Sequence, residues 1–123
     1  MSVKIFAMTH KPFEVPKDSM YIPLHVGHKY AKEDFGYAGD DTGDNISDLN
    51  CYYAELSGVY WVWKNYTDAD CVGICHYRRF LTSEEGYAFT EAEYERILEE
   101  YDIVTTKLLE LPGSYRNGFG AHH

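Results

Sequence analysis

The sequence predicts an α/β fold in which a largely parallel sheet is flanked by helices. Helical patterns separate strand patterns, and parallel strands require such a crossover connection. A basic residue follows each strand pattern, and the carboxyl ends of parallel strands form one edge of the sheet, where α/β folds bind ligands. The predicted order is β-β-α-β-α-β, with strands at 3–8, 20–26, 71–75 and 101–106, a helix at 47–64 and a second helix capped by Thr90.

The first half of the chain carries two strands and a long loop. Pro23 interrupts the second strand, which is therefore predicted to be an edge or irregular strand, because proline cannot donate a ladder hydrogen bond. Residues 31–44 are acidic and contain three glycines. A loop of this length is usually functional or mobile, and the alternative is a surface excursion without a role. Composition does not distinguish the two.

The helix at 47–64 is predicted from an apolar periodicity. Ser47 is a plausible N-cap. Gly58 lies within the helix, where it costs about 1 kcal/mol relative to alanine, so it indicates close packing on the sheet. Glu55 is most simply a solvated helix carboxylate. The apolar face, predicted to be buried, consists of Leu49, Tyr53, Leu56, Tyr60 and Trp63.

The strand at 71–75 ends abruptly in His76, Tyr77, Arg78 and Arg79. A guanidinium removed from water must be paired, and its planar fork of donors matches carboxylates and phosphates. One hypothesis is an anion pocket for the phosphates of a ligand, and the other is a pair of structural arginines bound to protein acids. We expect Arg78 and Arg79 to divide these roles. One would face a ligand crevice at the end of the strand, and the other would be bound to a protein acid.

Basic side chains recur at every predicted strand end, although the chain is acidic. They are Lys11, His28 with Lys29, His76 with Arg78 and Arg79, and Lys107. A parallel sheet would gather them at one edge, which favours an anion pocket there. Asp68 and Asp70 form an Asp-x-Asp, but they precede a strand and are expected at the opposite edge as a solvated turn.

Composition limits the classes of function. The 123 residues suffice for a single domain, and a net charge of −9 disfavours nucleic acid and anionic lipid as partners. Three cysteines provide no disulfide framework, which fits a reducing cytoplasm. A zinc site from Cys71, Cys75, His76, His122 and His123 lacks a Cys-x-x-Cys pair, so core cysteines are favoured and no metal ligands are assigned. No apolar stretch is long enough for a membrane span.

Two stretches together resemble a known family. The first comprises Asp44-Asn45-Ile46-Ser47, Asn50, Tyr53, Glu55-Leu56 and Tyr60-Trp61-Val62-Trp63-Lys64-Asn65, and the second is Val72-Gly73-Ile74-Cys75-His76-Tyr77-Arg78-Arg79-Phe80. They resemble the hallmarks of the capsular polysaccharide/exopolysaccharide biosynthesis family, domain of unknown function 4422, which is regarded as glycosyltransferase-like. The resemblance implies a Rossmann-like, GT-A-type domain that transfers a hexose, such as galactose, from a nucleotide-diphosphate sugar to a glycan or lipid-linked acceptor.

The resemblance also suggests roles for individual residues. Glu55 and His76 are the candidate catalytic residues, and no metal ligand is assigned. A UDP-sugar is the expected donor, and Mg²⁺ or Mn²⁺ is the cation that could accompany it. The expected location is the cytoplasm, and partner proteins are expected to be the means by which the chain reaches the inner face of the membrane. The candidate donor-binding residues are Thr9, His10, Lys11, Asp44, Asn45, Ser47, Tyr77, Arg78 and Arg79.

Domains of this family continue well past the position of His123, so residues 1–123 are expected to be the N-terminal half of a nucleotide-sugar-binding domain. Two other functions remain open. One is a non-catalytic scaffold or partner in polysaccharide synthesis, since the twelve tyrosines and two tryptophans suit interfaces as well as glycan stacking. The other is a hydrolase or metal enzyme that uses Asp44, Glu55 and His76.

Overall fold

A computed structural model describes residues 2–106, which form a four-stranded parallel sheet flanked by helices. The strand order is β3-β2-β1-β4, and every pairing is parallel. Single turns of 3-10 helix occupy His28–Tyr30 and Ser47–Leu49. The elements are β1 Val3–Thr9, β2 Tyr21–His25, β3 Ala38–Gly39, α1 Asn50–Tyr53, α2 Leu56–Asn65, β4 Cys71–His76 and α3 Glu91–Leu98.

β1 is the central strand, and this explains its continuous apolar sequence. It pairs with β2 on one side, where Ile5 lies opposite Tyr21, and with β4 on the other, where Val3 lies opposite Cys71. Alternate β1 residues enter two cores, because a strand covered on both faces needs apolar side chains at every position. One core joins Val3 and Ile5 to Tyr94 of α3, and the other joins Phe6 and Met8 to Val62 of α2. The predicted parallel α/β fold is confirmed.

The predicted continuous helix at 47–64 is wrong. Ala54 has φ 51° and ψ −130°, which ends α1 before α2 begins. Ser47 lies inside the 3-10 turn that precedes α1, and its buried hydroxyl donates to Asp40 instead of capping a helix. The segment therefore consists of three helical pieces, and side chains of the first and third form hydrogen bonds with Asp40 and Asp44 of the preceding loop.

The predicted buried face of this helix is also wrong. Leu56 is 55% exposed and Trp63 is 69% exposed, whereas Ser57, Gly58 and Val62 are buried. Small residues face the sheet, so the helix axis approaches the strands closely. A Cβ on Gly58 would clash with Met8 Sδ, which confirms the predicted close packing.

The last predicted strand, at 101–106, is absent, since those residues form no strand in the structure. Val104 packs against the core, but Ile103 is 81% exposed. β4 thus lies at the edge of the described sheet, with Val72 and Ile74 partly exposed beside an apolar groove of about 360 Å³. The predicted capping box at Thr90 is confirmed, with Glu93 as its partner. Residues from Lys107 onwards lie outside the described part of the chain.

None of the helices among residues 2–106 combines the length and the apolar character needed to cross a membrane.

Candidate functional site

The carboxyl ends of β1, β2 and β4 lie along one edge of the sheet, as the basic residues predict. This follows from the parallel registers, in which Thr9 lies opposite His25 and Met8 opposite His76. Lys107, the remaining predicted cation, lies outside the described residues. The basic side chains that follow these strand ends are His10, Lys11, His28, Lys29, Arg78 and Arg79, with His76 as the last residue of β4.

A cleft of about 210 Å³ opens at this edge between β1, β4 and the start of α2, and we call it the central cleft. It brings together the two candidate catalytic residues, Glu55 and His76, which are far apart in sequence. The break at Ala54 places Glu55 there, because Glu55 is the first residue after the turn. The lining residues are Met8, Thr9, His10, Val26, Asn50, Ala54, Glu55 and His76.

His76 is oriented by the turn that follows β4. Its Nδ1 accepts a hydrogen bond from the backbone N–H of Arg78 at 3.3 Å. A neutral imidazole that accepts at Nδ1 carries its proton on Nε2. The ring therefore has one donor left for a ligand in the central cleft. Tyr77 packs against it, with ring centroids 4.5 Å apart.

At the end of β1, the Thr9 side chain is buried and the His10 side chain is exposed. The Thr9 side chain is buried, and its Oγ donates to the carbonyl of Lys11 at 2.5 Å and accepts from the Lys11 N–H at 3.0 Å. Thr9 thus fixes the turn that carries the next two residues. His10 is exposed and meets Tyr77 edge to face at 5.6 Å between ring centroids. Its imidazole is accessible to a ligand in the cleft.

A second cleft of about 410 Å³ adjoins the first, and we call it the loop cleft. The two share His10, Val26 and Asn50, so together they form a continuous depression. Lys11 and Lys32 line the loop cleft, and Phe35 supplies an aromatic ring. Small-molecule sites commonly span about 300–1,000 Å³, and the combined clefts fall in this range.

Arg78 and Arg79 are exposed, and neither forms an ion pair with an acid among residues 2–106. The expected pairing of one arginine with a protein carboxylate, including Glu55, is therefore not seen there. The chain turns at this point, because the backbones of His76 and Arg79 form an isolated antiparallel β-bridge. Arg78 lies 5.4 Å from the Tyr77 ring centroid. Neither arginine is among the residues that line the central cleft, although both follow His76, which does.

The helix-entry residues Asp44, Asn45 and Ser47 line neither cleft. The Asp44 carboxylate accepts from the Tyr60 hydroxyl at 2.9 Å, and this raises the pKa of that hydroxyl. Asn45 accepts from the Ser47 N–H at 3.2 Å and donates to the carbonyl of Gly43. All three stabilise the loop in the structure, and a donor-binding role for them stays a prediction.

Asp40 organises this edge, and sequence reasoning missed it. Its side chain is fully buried, and it accepts backbone hydrogen bonds from Gly27 and His28 at 2.9 and 3.1 Å. It also accepts from the hydroxyls of Ser47 and Ser57, each at 2.6 Å. One carboxylate thus joins the residues that follow β2, the 3-10 turn that precedes α1, and the start of α2. Nothing in the sequence separates Asp40 from the other acids of its loop.

His28, which the sequence predicts as a strand-end cation, forms a second group beside Asp40 with His25, a residue that sequence reasoning missed. His28 Nδ1 lies 2.9 Å from Asp41 Oδ1, and this hydrogen bond raises the pKa of His28. Burial lowers the pKa of His25, which is stacked on Phe35 with ring centroids 4.9 Å apart. The two imidazole centroids are 4.8 Å apart.

Comparisons with known proteins agree with this architecture. The solved structure entitled "WbbM bifunctional glycosytransferase apo structure" is similar to this chain with a TM-score of 0.60 and 40% sequence identity. The similarity covers 80% of this chain and 20% of that chain, so this chain spans about a fifth of that protein. Comparison with curated proteins finds no match. The family model described as "Domain of unknown function (DUF4422)" matches residues 4–123, and the chain therefore belongs to that family.

Proposed function

We propose that this chain forms the donor-binding part of a glycosyltransferase in capsular or exopolysaccharide biosynthesis. It would bind a nucleotide-diphosphate sugar, with a UDP-hexose such as UDP-galactose as the donor, for transfer to a glycan or lipid-linked acceptor. The observation that carries the proposal is the row of cations at the carboxyl edge of a parallel sheet in a chain of net charge −9. The similarity to a glycosyltransferase structure supports it.

The diphosphate would lie along the edge between β1 and β4. Lys11 and the guanidiniums of Arg78 and Arg79 provide positive charge there, and arginine matches phosphate bidentately. Because both guanidiniums are exposed without ion pairs to described acids, they are available to an anionic ligand. The loop cleft, with Phe35 in its wall, would receive the base and ribose.

Glu55 and His76 suit complementary roles in the transfer. The acceptor hydroxyl must lose a proton as its oxygen bonds to the anomeric carbon, and an ionised Glu55 carboxylate could accept that proton. The bond between the anomeric carbon and the diphosphate oxygen breaks in the same reaction. The Nε2–H of His76 would donate a hydrogen bond to the negative charge that develops on the leaving diphosphate.

UDP binding tests this proposal directly. Isothermal titration of the chain with UDP should show binding, and UDP should raise the melting temperature by mass action. Replacing Arg78 or Arg79 with alanine should weaken the binding of UDP by about 1–3 kcal/mol where that guanidinium contacts phosphate. The free energy of unfolding should change by no more than about 0.5 kcal/mol, because both side chains are exposed.

Arg96 provides the matched control, since it is an exposed arginine on α3. Arg96→Ala should leave the affinity for UDP unchanged. The proposal is wrong if millimolar UDP neither binds nor shifts melting, or if all three arginine variants weaken binding equally, which would indicate only a general effect of charge.

A non-catalytic scaffold is the second candidate, and the exposed apolar side chains on α1 and α2 favour it. Tyr52 is 80% exposed, and Tyr53, Leu56 and Trp63 are at least half exposed. Large aromatic residues are enriched at protein interfaces. The scaffold would be favoured if the chain does not bind UDP but self-associates. The Tyr52→Ser and Trp63→Ser variants should then lose this self-association.

A further inference from the structure

The histidine group at the end of β2 has the composition of a metal site. One ring nitrogen each of His25 and His28 and a carboxylate oxygen of Asp34 lie within 4.8 Å of one another. We propose that these three side chains bind a divalent cation of the zinc type. Neutral imidazoles and a carboxylate are ligands of Zn²⁺, and two histidines with one acid is a known catalytic set for that ion.

Asp41 holds His28 in the orientation that a metal ligand needs. His28 Nδ1 is 2.9 Å from Asp41 Oδ1, while its Nε2 points to Asp34 Oδ1 at 3.5 Å. Histidines that bind metals usually donate their second ring N–H to a carboxylate, which fixes the tautomer and raises the basicity of the ligand. Asp41 is therefore a positioning residue, and Nε2 of His28 is the ligand atom.

His25 supplies the second, independent observation. Its side chain is 2% exposed, and its Nδ1 is buried with no hydrogen-bond partner in the described residues. A buried nitrogen without a partner destabilises the fold, and a bound cation or its water would satisfy it.

The ligand atoms must move only slightly to share one ion. Zn–N and Zn–O bonds are about 2.0–2.2 Å, so the ligand atoms of a tetrahedral site lie about 3–4 Å apart. Asp34 can make this adjustment, because its side chain is 69% exposed on the loop. Phe35 stacks on His25 and fixes that ring. Water or an anion would complete the coordination. The proposal does not depend on the proposed glycosyltransferase function.

Titration with Zn²⁺, followed by calorimetry, tests the site in the full chain. His122 and His123 are replaced with alanine first, because an adjacent histidine pair can bind metal by itself. We expect one strong site for each chain. Asp34→Asn and His28→Ala should each lower the affinity for Zn²⁺ at least about tenfold, and Asp41→Ala should lower it by about 10- to 100-fold through lost orientation. Asp34→Asn keeps the shape of an exposed side chain and should fold normally.

His10→Ala is the matched control, since His10 is an exposed histidine at the same edge outside the group. It should leave the affinity for Zn²⁺ unchanged. Visible absorption with Co²⁺ identifies the ligand type, because cysteine thiolates add charge-transfer bands that nitrogen and oxygen ligands do not. The proposal is overturned if no strong site is found, if Asp34→Asn and His28→Ala bind as tightly as the parent, or if the Co²⁺ spectrum shows thiolate ligation.

Discussion

The Asp40 carboxylate accepts hydrogen bonds from two backbone N–H groups, of Gly27 and His28, and from the hydroxyls of Ser47 and Ser57. Asp40→Ala would remove the shared acceptor of these donors, of which the Ser47 and Ser57 hydroxyls are buried, at about 1–3 kcal/mol for each group left unsatisfied. We expect the free energy of unfolding to fall by about 3 kcal/mol or more, which urea denaturation would measure.

Asp48→Ala is the control for this substitution, because Asp48 is an exposed acid in the neighbouring 3-10 turn. Its effect should stay within about 0.5 kcal/mol. Equal stability of the Asp40 and Asp48 variants would contradict the role given to Asp40.

The two histidines of this edge should contribute to stability in opposite pH ranges. The pKa of His28 is raised, chiefly by its hydrogen bond to Asp41, so its contribution is present below its ordinary pKa of 6.5 and is lost as pH rises through the raised value. The pKa of His25 is lowered, chiefly by burial, so its contribution is present above 6.5 and is lost as pH falls. The charges that face them are those of Asp34, Asp40 and Asp41.

Asp41→Asn separates the two titrations. The free energy of unfolding of the parent should exceed that of the variant by more at about pH 5.5 than at about pH 8.5, since only protonated His28 gains from the carboxylate charge. The titration of His25 occurs in both proteins and largely cancels in the difference. A difference that does not change with pH would show that His28 is not charged beside Asp41.

At the scale of elements, the contact of α2 with the sheet depends on Gly58. Alanine would favour the helix by about 1 kcal/mol. Its Cβ, however, would clash with Met8 Sδ and would lie 2.6 Å from Val26 Cγ1. The clash should exceed the gain, so Gly58→Ala should lower the free energy of unfolding by about 1–3 kcal/mol.

A double-mutant cycle with Val26→Ala tests the cause of this loss. Removing the Val26 methyl groups makes room for the new Cβ, so the double variant should be more stable than the sum of the two single changes predicts. Additive effects would mean that Gly58 does not pack against Val26.

The phase of α2 shows why an apolar periodicity is not sufficient to orient a helix. Residues 56–63 contain no charged side chain, so two faces were compatible with burial. The face of larger side chains, with Leu56 and Trp63, was predicted to be buried, but the face of Ser57, Gly58 and Val62 packs on the sheet. The small side chains face the sheet because they allow the axis of α2 to approach the strands more closely. The glycine was the correct signal, and the aromatic residues were not.

At the scale of the whole molecule, the parallel sheet and its basic edge could be predicted, because both follow from local patterns repeated along the chain. The prediction of a strand at 101–106 failed because a local pattern does not show whether a segment has a partner strand. No strand among residues 2–106 pairs with this segment. The roles of Asp40, His25 and His28 depend on contacts between distant segments. The sequence shows these residues only as acids or histidines among others.

The central position of β1 also has a consequence for synthesis. β1 pairs with β2, which follows it after a short connection, but its other neighbour is β4, where Cys71 lies opposite Val3. A ribosome releases the amino-terminal segments first, at about 5–20 residues per second. Half of the backbone ladder of β1 must therefore wait until residue 76 has emerged. During this interval the nascent chain presents an apolar strand with an open edge, the kind of surface that chaperones bind and that aggregates when left uncovered.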